Sequence, residues 1–224
     1  MIPSPTKSTK NAGGVEPLSL DEMVDKCLTA VKNEECRKYF ENRDTYEGCF
    51  FKANDVPYFE INKNANIATT MFSYSTITEF SKLDIGKSNL HIGIRMFNEC
   101  KNLVKVQIDI KKFYNISCMF FDCVSLVDVG TLDFSGIPQA DGSVRTSNCF
   151  NNCKSLEKIK VVPQSIKVPL SFAWSPLLSA ESVQSIIDGL ATVSTAQTIT
   201  FHKDIALTDE QKQTINDKGW TLVQ

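Results

Sequence analysis

The chain has 224 residues, of which 42% are hydrophobic and 22% charged. That is enough for one ordinary domain, or a domain plus an arm, with a real core, and it excludes wholesale disorder. Lys plus Arg number 24 against 26 Asp plus Glu, a net charge of −2, and there are 2 His, so charge-driven nucleic-acid binding and His-rich metal or relay chemistry lack their material.

Residues 1–17 read as a flexible arm punctuated by Pro3, Pro5, Gly13, Gly14 and Pro17: a disordered terminus, or a tether that orders on docking. No apolar stretch follows the early charges, as a secretory signal requires, and no apolar run is long enough to span a bilayer. The expectation is a chain made in the cytosol, in which the 8 Cys do not pair by default. Residues 18–65 are expected to be a helical region that closes the N-terminal end of a repetitive central segment. Ser19 and Glu22 have capping-box spacing, and Val24, Cys27, Leu28 and Val31 share one helical face.

The repetitive segment spans residues 66–176. Met71-Phe72 opens a first copy, Met96-Phe97-Asn98-Glu99-Cys100-Lys101-Asn102-Leu103 a second, Met119-Phe120-Phe121-Asp122-Cys123-Val124-Ser125-Leu126 a third, and Cys149-Phe150-Asn151-Asn152-Cys153-Lys154-Ser155-Leu156 a fourth. The aligned Phe residues are 25, 23 and 30 positions apart, and degenerate copies start near Phe50 and Phe172. Periods of about 20 to 29 residues belong to leucine-rich-repeat solenoids, in which each coil hides its apolar residues only by stacking on the next. The long interval is expected to hold a loop insertion at Gly136 to Gly142. The run after each Leu, such as Val104-Lys105-Val106-Gln107-Ile108, alternates as a short strand does, so four to five copies give a parallel sheet roughly 20 Å across. The fold class expected is α/β: a short leucine-rich-repeat solenoid with a parallel sheet, an N-terminal helix and a C-terminal strand-helix-strand cap.

Residues 177–224 are that cap. Ser179 caps a helix carrying Val183, Ile186, Ile187 and Leu190, Thr198 to Phe201 is a strand, Thr208 and Gln211 open a second helix that closes near Gly219, and Trp220 to Val223 is a last strand.

The Met-Phe-x-x-Cys-x-x-Leu pattern at Met96 to Leu103 and Met119 to Leu126 resembles the BspA-type leucine-rich repeat of bacterial surface proteins, related protist proteins and phage-encoded proteins. The likeness covers about residues 66–175, with Tyr74-Ser75 in place of the usual Cys neighbourhood in the first copy. The tail, with Leu207 to Gln211 and Lys218 to Leu222, is similar to the terminal cap of repeat proteins encoded by gut bacteria and their tailed phages. The resemblance implies binding or adhesion modules and no catalytic residues.

The residues themselves agree. Cys100, Cys123 and Cys153 share one repeat position and Cys149 stands where Met71, Met96 and Met119 stand, so thiols and thioethers are expected in a core ladder. Cys149 with Cys153, or Cys118 with Cys123, could offer thiolates to zinc, but the spacing is not C-x-x-C and no paired His completes a site. His91 reads as an outward strand residue and His202 as a strand-end residue. Carboxylate pairs such as Asp209/Glu210 suit helix starts, and the Asn115-Ile116-Ser117 glycosylation pattern carries no weight without export. Tyr46, Phe59, Tyr74, Tyr114 and Trp174 do not all fit the ladder. Tyr74, Tyr114 and Trp174 are the candidate partner-binding residues, against the plainer alternative of partial burial.

No catalytic residue, cofactor or metal is expected. The function expected is a non-enzymatic bacteriophage virion component, a head- or tail-attached decoration or fibre-associated protein, made in the host cytoplasm. The arm would meet other virion proteins, and the repeat face a host-surface glycan or protein. A homo-oligomer is left open; nucleic acid and membrane are not expected partners. The alternative is a cellular adhesion or interaction module, cytoplasmic or at the cell surface.

Overall fold

The computed structural model describes residues 47, 48, 50, 52, 65–81, 89–139 and 145–224. The expected arm and N-terminal helix, together with Tyr46 and Phe59, lie outside them.

The described chain is a mixed α/β structure with two parallel sheets. Strands β1 (Glu79–Phe80), β2 (Lys105–Val106), β3 (Asp128–Leu132) and β4 (Lys158–Val161) form the first in chain order. Strands β5 (Leu170–Phe172), β6 (Gln197–Phe201) and β7 (Trp220–Val223) form the second, joined by helices α1 (Ala180–Gly189) and α2 (Asp209–Asp217). The alternation expected over Val104 to Ile108 yields a strand of only two residues. Its register places Glu79, Lys105, Asp128 and Lys158 in one row of alternating sign, and Phe80 opposite Val106 on the buried side. A shift between Asp128 and Thr131, where Gly130 has φ 64°, bends β3 away.

Ahead of each of the strands β1 to β4 the described chain runs through tight turns. Two residues before and after each repeated Phe the backbone is left-handed: Thr70 and Tyr74, Arg95 and Glu99, Cys118 and Asp122, Asn148 and Asn152, all at φ 54–60°. The hydrogen bonds show what this achieves. Met96, Asn98 and Cys100 donate back to Gly93, Arg95 and Phe97 carbonyls within their own rung, at 3.2, 3.1 and 3.1 Å. The intervening Arg95, Phe97 and Glu99 donate forward to Ser117, Met119 and Phe121 in the next, at 2.9, 2.8 and 2.7 Å. Alternate N–H groups thus close a turn or join two rungs, which satisfies a buried backbone that is neither helix nor strand.

This places one phenyl ring above another. Phe50, Phe72, Phe97, Phe120, Phe150, Phe172 and Phe201 stack with centroid steps of 5.4, 5.2, 5.5, 5.6, 5.0 and 6.2 Å. Leu103, Leu126 and Leu156 lie beside them, fully buried. The expected loop insertion is partly packed: Phe134 and Ile137 are buried about a 3-10 turn, and a Cβ on Gly136 would sit 2.0 Å from the Lys111 carbonyl oxygen.

The boundary expected at residue 176 does not interrupt the ladder, because β5 lies before it and pairs with β6, Phe172 opposite Phe201. Helix α1 instead closes the edge of the first sheet. Ser182 and Ser185 hydroxyls accept the Ile159 and Val161 N–H groups of β4 at 3.0 and 2.9 Å. Ser179 caps α1, and Thr208 and Gln211 form the capping box of α2, as expected. The Lys218 ammonium donates to the Ile187 carbonyl at 2.8 Å, tying the end of α2 to that of α1.

Candidate functional site

Four of the five described cysteines, Cys100, Cys123, Cys149 and Cys153, point inward. Cys100, Cys123 and Cys153 are fully buried, and each thiol donates to the carbonyl of the Phe one rung earlier: Phe72, Phe97 and Phe120, at 3.0, 3.0 and 3.1 Å. A small side chain with a weak S–H donor is what this site admits. Met71, Met96, Met119 and Cys149 fill the neighbouring buried column. Burial pushes the Cys100 thiol up to about 11, and those of Cys123, Cys149 and Cys153 up as well. Such thiols are poor nucleophiles at neutral pH. The five described cysteines are free, and among the described residues no group of three or more His, Cys, Asp or Glu is placed to hold a metal ion.

The two histidines lie outside the helices, strands and turns. His91 lies outside any strand, which corrects the expectation; only its neighbour Ile92 makes isolated bridges, to Ile67 and Asn115. Its Nδ1 pairs with the Asn89 carbonyl at 2.8 Å, and its ring lies 5.1 Å from that of Tyr114. Tyr114 is half-buried, with the Arg145 guanidinium 5.2 Å from its centroid, so this candidate is a stacked contact between rungs. His202 Nδ1 lies 3.6 Å from the Asp204 carboxylate just beyond β6.

Shallow grooves of about 540 Å³ lie between α2 and β7 and where β2 and β3 diverge. In the second, Asp109, Asp128 and Asp133 each accept the N–H two residues on, at 2.9, 2.8 and 2.9 Å, so these carboxylates build turns.

The other two aromatic candidates share one offset from the ladder. Tyr74 and Trp174 each stand two residues after a stacked Phe, and are 42% and 49% exposed. The same offset in the rungs between them holds Glu99, Asp122 and Asn152. The Tyr74 hydroxyl bonds the Glu99 carboxylate, and this bond raises the phenol above its ordinary value. The Lys101 ammonium bridges Glu99 and Asp122 at 3.7 and 3.4 Å, and is itself held charged to higher pH by its bond to Asp122. The Asn152 amide donates to Asp122. A linked row of phenol, carboxylate, ammonium, carboxylate and amide therefore runs along the ladder axis, and Trp174 holds the same offset from the next stacked Phe. Reading the aromatics as off-ladder residues finds Tyr74 and Trp174. The middle escapes because Glu99, Asp122 and Asn152 look like ordinary polar turn residues until the rungs are stacked.

Comparison with family models, with curated proteins and with solved structures finds no match to this chain. Among the described residues no helix is long and apolar enough to cross a membrane.

Proposed function

We propose that the chain is a non-enzymatic binding scaffold: a short leucine-rich-repeat solenoid of the BspA type that presents side chains along its turns. The observation that carries this reading is the seven-ring Phe stack, whose rungs recur at 22 to 30 residues with their thiols turned inward and bonded to backbone. A core built this way is consumed in stacking, so binding falls to the exposed positions of the turns.

We further propose that this scaffold is a bacteriophage virion component. Support comes from the likeness of the Leu207 to Gln211 and Lys218 to Leu222 segments to phage-encoded caps, and from residues 1–17, whose composition suits a docking arm for other virion proteins. Made in the host cytoplasm, such a protein would leave with the particle. The test is to purify particles from a lysate on a density gradient and search their peptides by mass spectrometry. Recovery at structural-protein abundance supports the virion role. Recovery only from uninfected cells sinks it and leaves a cellular interaction module.

A further inference from the structure

We propose that the row from Tyr74 to Trp174 is a binding track for an extended neutral glycan, one sugar per rung, with the two exposed rings stacking on the sugar faces at either end. This deepens the scaffold reading and rests on it. The backbone along this edge is already used: Tyr74, Glu99 and Asp122 N–H groups donate to Asn98, Phe121 and Asn151 carbonyls at 2.8, 2.7 and 2.9 Å. A partner strand therefore finds no free N–H at these three positions, which disfavours peptide capture by strand pairing. Recognition is left to side chains.

Those side chains are the groups that read hydroxyls. Carboxylate oxygens accept from several donors at once, an amide both donates and accepts, and an ammonium donates three times. In Glu99, Lys101, Asp122 and Asn152 these groups hold one another in fixed positions, so a polyol meets a preformed array. At the ends, a half-exposed phenol and a half-exposed indole present flat apolar faces of the kind that pack on the C–H face of a pyranose at low entropic cost. The spacing matches a polymer. Phe72 and Phe172, the stacked rings that Tyr74 and Trp174 follow, are four stacking steps of 5.0–5.6 Å apart, roughly 20 Å along the ladder. That is the span of a short oligosaccharide at about one sugar per step. Glu99 and Asp122 are balanced by Lys101 and by the exposed Arg95 near Tyr74, so the row has no positive excess to draw an acidic sugar, and the glycan is neutral.

The experiment passes the full chain over a panel of immobilised unbranched neutral polysaccharides (glucans, mannans, galactans and N-acetylglucosamine polymers). Retained sugars are then titrated as fragments of increasing length while indole emission is followed. Trp220 is 3% exposed, so a sugar-induced blue shift belongs to Trp174. Binding should need fragments long enough to span both rings. Trp174→Ala and Tyr74→Ala should each weaken it roughly tenfold, while Val104→Ala, at another exposed site, leaves it unchanged. Retention on none of the panel, or binding that both row variants leave intact, overturns the track. The scaffold reading would survive that failure if particles carry the protein, and the track would survive absence from particles, so the two fail separately.

Discussion

Residues 65–156 and residues 170–224 continue one Phe ladder by different means. In the first region each rung is a chain of turns with two left-handed non-glycine residues, whereas from Leu170 onward only Gly219 has positive φ. There the rungs β5, β6 and β7 are regular strands joined by capped helices. Strands and helices are specified by local rules, so their sequence need not repeat for the ladder to continue. An irregular rung has no such rules. It pairs with its neighbour only if the neighbour has the same irregularity, and so the same side chains recur. Sequence repetition marks where the backbone is unusual, and it stops where the backbone becomes ordinary, although the core runs on.

The sharpest way to break this comparison is to remove one ring from each region. Phe97 is stacked between Phe72 and Phe120 and meets the edge of Phe80 at 4.9 Å, whereas Phe201 stacks on Phe172 alone among the ladder rings, at 6.2 Å. Phe97→Ala should destabilise by about 3–5 kcal/mol and Phe201→Ala by clearly less, read from urea unfolding. Equal losses would mean that both regions bury their rings equally well. A second asymmetry is chemical. The buried thiols of Cys100, Cys123, Cys149 and Cys153 all precede β4, and their raised values favour the folded state while they stay protonated. The Cys100 thiol titrates near 9.0 when unfolded and near 11 when folded, so its contribution is complete below pH 9 and is lost as pH rises toward 11. In that window the Cys100 thiol lowers the folding constant by up to about tenfold per pH unit, and the other raised thiols act in the same direction. Hydrogen exchange should show residues 89–135 loosening first above pH 9, with α1 and α2 following. Uniform loosening would contradict the asymmetry.

The seam between the regions gives a smaller effect. Ser182→Ala leaves the Ile159 N–H of β4 without its acceptor at a buried edge, and should cost about 1–3 kcal/mol. If the urea midpoint holds, water or a shifted α1 closes the edge instead of the hydroxyl.

Much of this arrangement is legible in residue types. The Phe, Cys and Leu positions of the second, third and fourth copies are buried as their spacing implies, and Ser179 and Thr208 cap the helices they mark. The left-handed residues are not legible, because Thr70, Arg95, Glu99 and Cys118 are not turn-forming types; rung pairing imposes their φ. Phe201 reads as a strand residue and not as a rung, since no Met-Phe-x-x-Cys surrounds it and its register exists only once β6 pairs with β5. Gly136 resembles a loop residue, and the backbone that excludes a Cβ there lies 25 positions away at Lys111. Tyr74 and Trp174 stand out as aromatics off the ladder, whereas Tyr114 shares that signal and is covered by Arg145 and His91.

The smallest effect tests why cysteine occupies its position. Phe172, Ser175 and Leu178 repeat the Phe-x-x-Cys-x-x-Leu spacing with a hydroxyl in place of the thiol. Ser175 is fully buried, and its Oγ has no hydrogen-bond partner. The corresponding thiols reach the preceding Phe carbonyl at 3.0–3.1 Å, helped by the longer C–S bond. Ser75 holds the same position in the first copy, but its hydroxyl lies 3.2 Å from the Cys100 sulfur and is satisfied. Ser175→Cys should therefore stabilise by about 1 kcal/mol, by removing an unpaired buried hydroxyl and adding an apolar atom. Ser75→Cys should change little, because it gives up one bond as it gains burial. Urea midpoints of the two variants separate the causes. If both gain equally, the position selects for apolar volume alone. If only Ser175→Cys gains, relief of an unpaired buried hydroxyl, and not apolar volume, sets the preference.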